Sequence, residues 1–103
     1  MTPVLRLVVC AALAASVSAI PALANTTKAK DCGYQSDVVA AVQAARVARV
    51  GERKVPAHLK DAEWPEKYNA VIPLVTPWVY GMKMSEVKSA DLAGAWKELC
   101  LSQ

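Results

Sequence analysis

Residues 64–82 read WPEKYNAVIPLVTPWVYGM, and whether this stretch is one helix or two pieces decides the fold. Trp64, Tyr68, Val71, Ile72, Val75, Trp78, Val79 and Met82 recur at spacings of three and four, which gathers them on one narrow helical stripe. Beyond Pro65 in its first turn, two prolines stand inside the run. Proline removes a backbone hydrogen bond and bends a helix, but Pro73 and Pro77 fall together on the opposite side, with Glu66 and Asn69. With both prolines outside, the bend curves the helix around its core. The unbroken stripe therefore predicts one proline-kinked helix from about 64 to 83. On this register Trp78 and Met82 are core residues, whereas Tyr80 and Met84 point away. Met82 and Met84 then stand about 200° apart around the axis. They would face one side only if Gly81 ended the helix and the chain ran on extended.

Upstream, residues 34–51, YQSDVVAAVQAARVARVG, predict a helix rich in alanine and closed by Gly51. Tyr34, Val38, Ala41, Val42 and Ala45 share one face, and Val39, Val47 and Val50 gather on another. The connector 51–62 is long for a helix–helix link. Pro56 is expected to keep Val55 out of the helical region. Asp61 is a candidate cap for the next helix, and Pro65 suits a first turn. Downstream, SEVKSADLAGAWKELCLSQ at 85–103 carries the last helix. Ser89 is the candidate N-cap, Asp91 sits in the first turn, and Leu92, Trp96, Leu99 and Cys100 form the inner face. Gly94 costs helix propensity and leaves room for a neighbour.

The N-terminus has its own signature. Residues 1–24 hold one early cation, Arg6, an apolar run from Leu7 to Ile20, Pro21 and the small-x-small triplet Ala22-Leu23-Ala24. This is the layout of a secretory signal peptide cleaved before Asn25, and it predicts a secreted, bacterial periplasmic protein. The run is too short for a membrane anchor, so none is expected after cleavage. Cys10 would be discarded with the leader. Residues 25–31 are expected to be a flexible mature start, and 32–103 a single domain. Loss of Arg6 lowers the formal net charge from +3 to +2, too little to suggest a nucleic-acid partner.

Cys32 and Cys100 remain, and in an exported chain a pair reads as one structural disulfide. Closing that bridge requires the start of the first helix to meet the end of the last. Either the 51–62 connector returns along the bundle, making the first two helices parallel, or the proline helix folds back at Pro73. The fold class is all-α: a small bundle of three to four helices, its first and last joined by the disulfide.

Chemistry is sparse. His58 is the only histidine, and nothing near it in sequence completes a site. No phosphate loop, GxSxG, HExxH or CxxCH motif occurs, so neither an enzyme nor a cofactor is expected. Met82, Met84 and His58 suggest a small copper carrier, but the helical register keeps the two thioethers apart. Residues 46–60 carry Arg46, Arg49, Arg53, Lys54 and Lys60 against Glu52. They could compensate the first helix dipole or contact an anionic surface.

The sequence thus predicts a non-catalytic protein-interaction module, binding an envelope protein or itself. The expected surface combines Val39, Val47 and Val50 with Tyr80 and Met84, rimmed by Arg46, Arg49, Arg53 and Lys54. If the connector instead folds over the valines, Val55 and Leu59 would cover them. In size, export, helical character and single-bridge economy the chain is similar to the HdeA-type acid-stress chaperones. That likeness implies a conditional chaperone as the alternative, with the copper carrier a second.

Overall fold

The computed structural model describes residues 19–103, with side chains from Thr26 onward. Residues 1–18, and with them most of the expected leader, lie outside the described residues. The chain divides into two units, Met1–Lys30 and Asp31–Gln103. Helix α1, Ala19–Val47, begins in the first. The stretch 25–31, expected to be flexible, is helical.

Five α-helices and no strand occur among the described residues. After α1 come a 3-10 turn at Glu52–Lys54, α2 at Val55–His58, a 3-10 stretch at Glu66–Val71, α3 at Ile72–Gly81, α4 at Met84–Ser89 and α5 at Leu92–Leu101. The count exceeds the expected three or four for two reasons. The connector winds its own turn, and the last element is broken at Ala90, whose backbone is extended at φ −83°, ψ 143°.

The run 66–81 is helical throughout, but it changes winding at its first proline. Pro73 has no N–H to give to a carbonyl four residues back, and it stands in the opening turn of α3, where that donor is dispensable. The preceding turns are 3-10. Pro65 lies outside the helix as its extended N-cap, and Asp61 caps nothing. Val55 is helical at φ −58°, ψ −46° despite the following Pro56. The restriction before proline is a preference, and here it yields to burial: Val55 is fully buried.

Side-chain bonds give the directions of the elements. Tyr68 donates to Asp31 Oδ1 at 2.6 Å, and Tyr80 donates to the Val50 carbonyl at 2.6 Å. The run 66–81 therefore starts beside the start of α1 in this unit and finishes beside its end, so the two are parallel. The return path is equally explicit. Gln43 Nε2 donates to the Val87 and Ala90 carbonyls, Ser36 Oγ to the Ala93 carbonyl, and Trp96 Nε1 to Gln35 Oε1. The α4–α5 segment thus runs antiparallel to α1 and delivers Cys100 to Cys32, their Cα atoms 5.7 Å apart in the disulfide. The connector returns along the bundle; the proline helix does not fold back.

The core is aliphatic. Val38, Val42 and Ala45 of α1 meet Tyr68, Val71, Ile72, Val75 and Val79 of the proline run, with Val87 and Leu92 from the last two helices. Val39, placed by its spacing on a surplus face, is fully buried in the same cluster as Val55 and Leu59. The connector thus shares the core with Val39, while Val50 is half-buried and Val47 stays exposed. Asp91, not Ser89, caps α5, accepting from the Gly94 amide at 3.0 Å. A Cβ at position 94 would lie only 2.8 Å from the Asp91 carboxyl carbon, so the glycine makes room for its own cap. Ser89 is the last residue of α4 and returns its hydroxyl to the Ser85 carbonyl.

Candidate interaction surface

The residues expected to form a contact surface separate into two groups. Val39 is core, and Val50 is half-buried against it. Tyr80 is also packed against the core, and burial raises its phenol pKa. The Arg46 guanidinium lies 5.2 Å from the Tyr80 ring centroid and donates to the Met82 carbonyl at 3.4 Å. A cation there answers the negative end of α3. Arg46, Val50 and Tyr80 are thus internal joinery, and the interface drawn from spacing is not assembled. Val47, Arg49, Arg53 and Lys54 remain exposed, and Met84 is half-buried at the head of α4.

The uncovered apolar surface lies elsewhere. Ala70, Pro73, Leu74, Pro77, Trp78 and Gly81 are all exposed, and their spacings of three and four make a second apolar stripe. Leu74 is 68% exposed and Trp78 38%, so Trp78 is not the core residue its spacing suggested. Its ring lies 6.0 Å from that of half-buried Trp96. Leu99, expected on the inner face of α5, is 61% exposed one turn beyond Trp96. No charged residue occurs from Ile72 to Gly81. A helix apolar on every side is ordinarily buried on every side; among the described residues α3 is covered on one face only.

On the connector side of this stripe lies a depression of about 230 Å³, lined chiefly by Arg53, Pro56, Ile72, Pro73, Thr76 and Pro77. Thr76 turns its hydroxyl to the Ile72 carbonyl at 2.6 Å. Pro77 has no N–H to offer the Pro73 carbonyl, which leaves a backbone acceptor on the proline face. Glu52 completes the lining and, with Arg53, puts a charge of each sign at its edge.

Asp31 joins two elements of the fold. Asp31 accepts from Tyr68 and, through Oδ2, from Gln35 Nε2 at 3.0 Å. That bond to a carboxylate, assisted by burial, pushes the Tyr68 pKa up to about 12. His58 ends α2 and is exposed. Among the described residues no group of three or more His, Cys, Asp or Glu is placed to hold a metal ion. Gly81 does end α3, and Met82 is extended at φ −82°, ψ 155°. The helical register used to separate Met82 from Met84 is therefore replaced by a break, with Met84 starting a new helix.

Sequence reasoning missed Leu74, the outward aspect of Trp78 and Leu99. A signal was available in the spacing 70, 73, 74, 77, 78 and 81, which is as regular as that of the buried stripe. Among the described residues no helix is long and apolar enough to cross a membrane. Set against protein-family models, curated proteins and solved structures, the chain matches none of them.

Proposed function

We propose that this chain is an exported, non-catalytic contact protein that works through the outer face of α3. The observation that carries the reading is the exposed, charge-free stripe around Leu74 and Trp78. Contiguous apolar surface on a small protein marks contact sites, whereas scattered exposed residues do not. Trp is also among the side chains that most often anchor interfaces. Export to the bacterial periplasm is supported by the leader-like residues 1–24 and by a disulfide suited to an oxidising compartment.

The test is a photo-crosslinking residue placed at position 74 in expressing cells, with exposed Lys60 as the control site. Discrete adducts from 74 and none from 60 are expected. Folded protein with no adduct at 74 would refute a contact role for this face. Mass spectrometry of the exported chain should find Asn25 as its first residue; a retained Met1 would remove the export half of the reading.

A further inference from the structure

The last helix is held differently from the rest of the bundle. Leu92, in the first turn of α5, belongs to the core, whereas every residue from Ala93 to Gln103 is exposed or half-buried. Ala93 and Trp96 rest on the edge of the core, and beyond them Cys100 is bonded to Cys32. The other core residues come from α1, the connector, the proline run and α4. Bonds independent of α5 hold those elements together: Tyr68 to Asp31, Tyr80 to the Val50 carbonyl, and Gln43 to the Val87 and Ala90 carbonyls. The two bridged cysteines also differ in access. Cys32 has no exposed surface, while Cys100 is only half-buried. A thiolate from outside therefore meets the bridge at Cys100.

From this asymmetry we infer that the bridge is a redox latch on α5, opened by a dithiol reductant. A thiolate of the dithiol attacks Cys100 Sγ, the S–S bond breaks, and its electron pair leaves on Cys32 Sγ, which takes up a proton. The second thiolate of the dithiol then attacks the dithiol's own sulfur in the mixed disulfide. Cys100 is released as a thiol, and the dithiol is left oxidised to a disulfide. Two electrons and two protons have passed to the protein. Local opening follows the elements with the fewest buried contacts, and α5 beyond Leu92 is such an element. As it lifts, Trp96 withdraws from Trp78, whose ring lies 6.0 Å away in the bridged form. Ser36 and Gln35 of α1 lose their partners on α5 at the same time. The state of one bond thus sets what the molecule presents beside the outer face of α3, whether or not that face binds anything.

Hydrogen exchange of the purified chain, before and after excess dithiothreitol, tests the latch. Reduction should speed exchange of the amides from Trp96 to Gln103 at least about tenfold, while those of α1 and α3 keep their protection. The near-UV circular dichroism of the Trp78–Trp96 pair should fall in step, and reoxidation should restore both signals. Trp96→Phe should lack the spectral change. With reduced glutathione, a monothiol, in place of the dithiol, peptide mass spectrometry should find the mixed disulfide on Cys100. A bridge that dithiothreitol cuts only in denaturant overturns the inference. So does α5 protection that survives complete reduction. Loss of protection in every helix together would make the bridge a staple for the whole fold instead of a latch. A glutathione adduct on Cys32 would refute the difference in access from which the latch is drawn.

Discussion

The two ends of α1 within Asp31–Gln103 are secured by opposite means. At the beginning, side chains and a covalent bond do the work. Asp31 takes hydrogen bonds from Tyr68 and Gln35, Gln35 accepts from Trp96, and Cys32 is bonded to Cys100. At the finish, the backbone closes on itself. Arg49 takes the left-handed conformation at φ 65°, its amide reaches the Arg46 carbonyl at 3.1 Å, and the Val50 amide reaches that of Ala45 at 3.0 Å. This six-to-one closure satisfies carbonyls that would otherwise be orphaned, and it swings Val50 back toward the core. Two side-chain bonds, from Tyr80 to the Val50 carbonyl and from Arg46 to the Met82 carbonyl, then tie that end to α3. The contrast shows where each kind of fastening is needed. Three distant segments converge on the first end and must be cross-linked, whereas the second end only has to reverse the chain.

The largest effect should come from breaking the covalent link. Replacing Cys32 and Cys100 together with Ala releases a loop with a sequence separation of 68 residues, and the entropy of such a loop is about 4 kcal/mol. The urea midpoint should fall accordingly. A midpoint that hardly moves would mean that the Asp31 network alone holds this end.

The next effect isolates that network by pH. The Tyr68 pKa is raised from 10.0 to about 12 in the folded chain. A raised folded value means that the bond's contribution is complete below pH 10 and is lost as pH climbs toward 12. Thermal stability should fall over that window, and Tyr68→Phe should show a shallower decline. Parallel curves for the two proteins would detach the phenol from stability.

At the other end the losses are smaller. Tyr80→Phe removes one hydrogen bond to the backbone and should cost about 1 kcal/mol by denaturant titration. The smallest effect has the opposite sign. Arg49 pays for a left-handed conformation that glycine adopts freely, so Arg49→Gly should stabilise the chain by about 0.5 kcal/mol, after the entropy of the more flexible unfolded residue is set against it. A loss would show that the Arg49 side chain contributes to that turn.

Much of this arrangement is legible in the sequence, and the exceptions share a cause. The inner stripe of 66–81 is readable because burial follows the helical period, and the outward prolines are readable because they spoil hydrogen bonds least there. The cysteine positions leave two courses open, and the unbroken stripe favours the parallel one that the structure adopts. Spacing could not reveal that Val39 is core, because the residues covering it, Val55 and Leu59, sit in a connector without periodicity. Gly51 is the better helix stop by residue type, but it comes two positions after Arg49, where Val50 must turn inward. The Ala90 break is hidden because Ser89 and Asp91 are both good caps, and geometry selects the one with a glycine three residues on. At the candidate site, Trp78 falls on the apolar stripe and therefore reads as interior, while Leu74 stands outside it and draws no assignment. Only the finished packing shows that, among the described residues, no element covers them.

The bridge between Cys32 and Cys100 also alters what a protease can accomplish. It makes residues 32–100 a ring, and the longest stretch of that ring outside any helix passes through the exposed Lys60, Asp61 and Glu63. A single cut there opens the ring without releasing anything. The result is a two-chain protein whose pieces migrate as one until a reductant is added. Each piece keeps a share of the valine core, so cleavage that would scatter an open chain of this size leaves this one assembled, with two new ends beside the proline run.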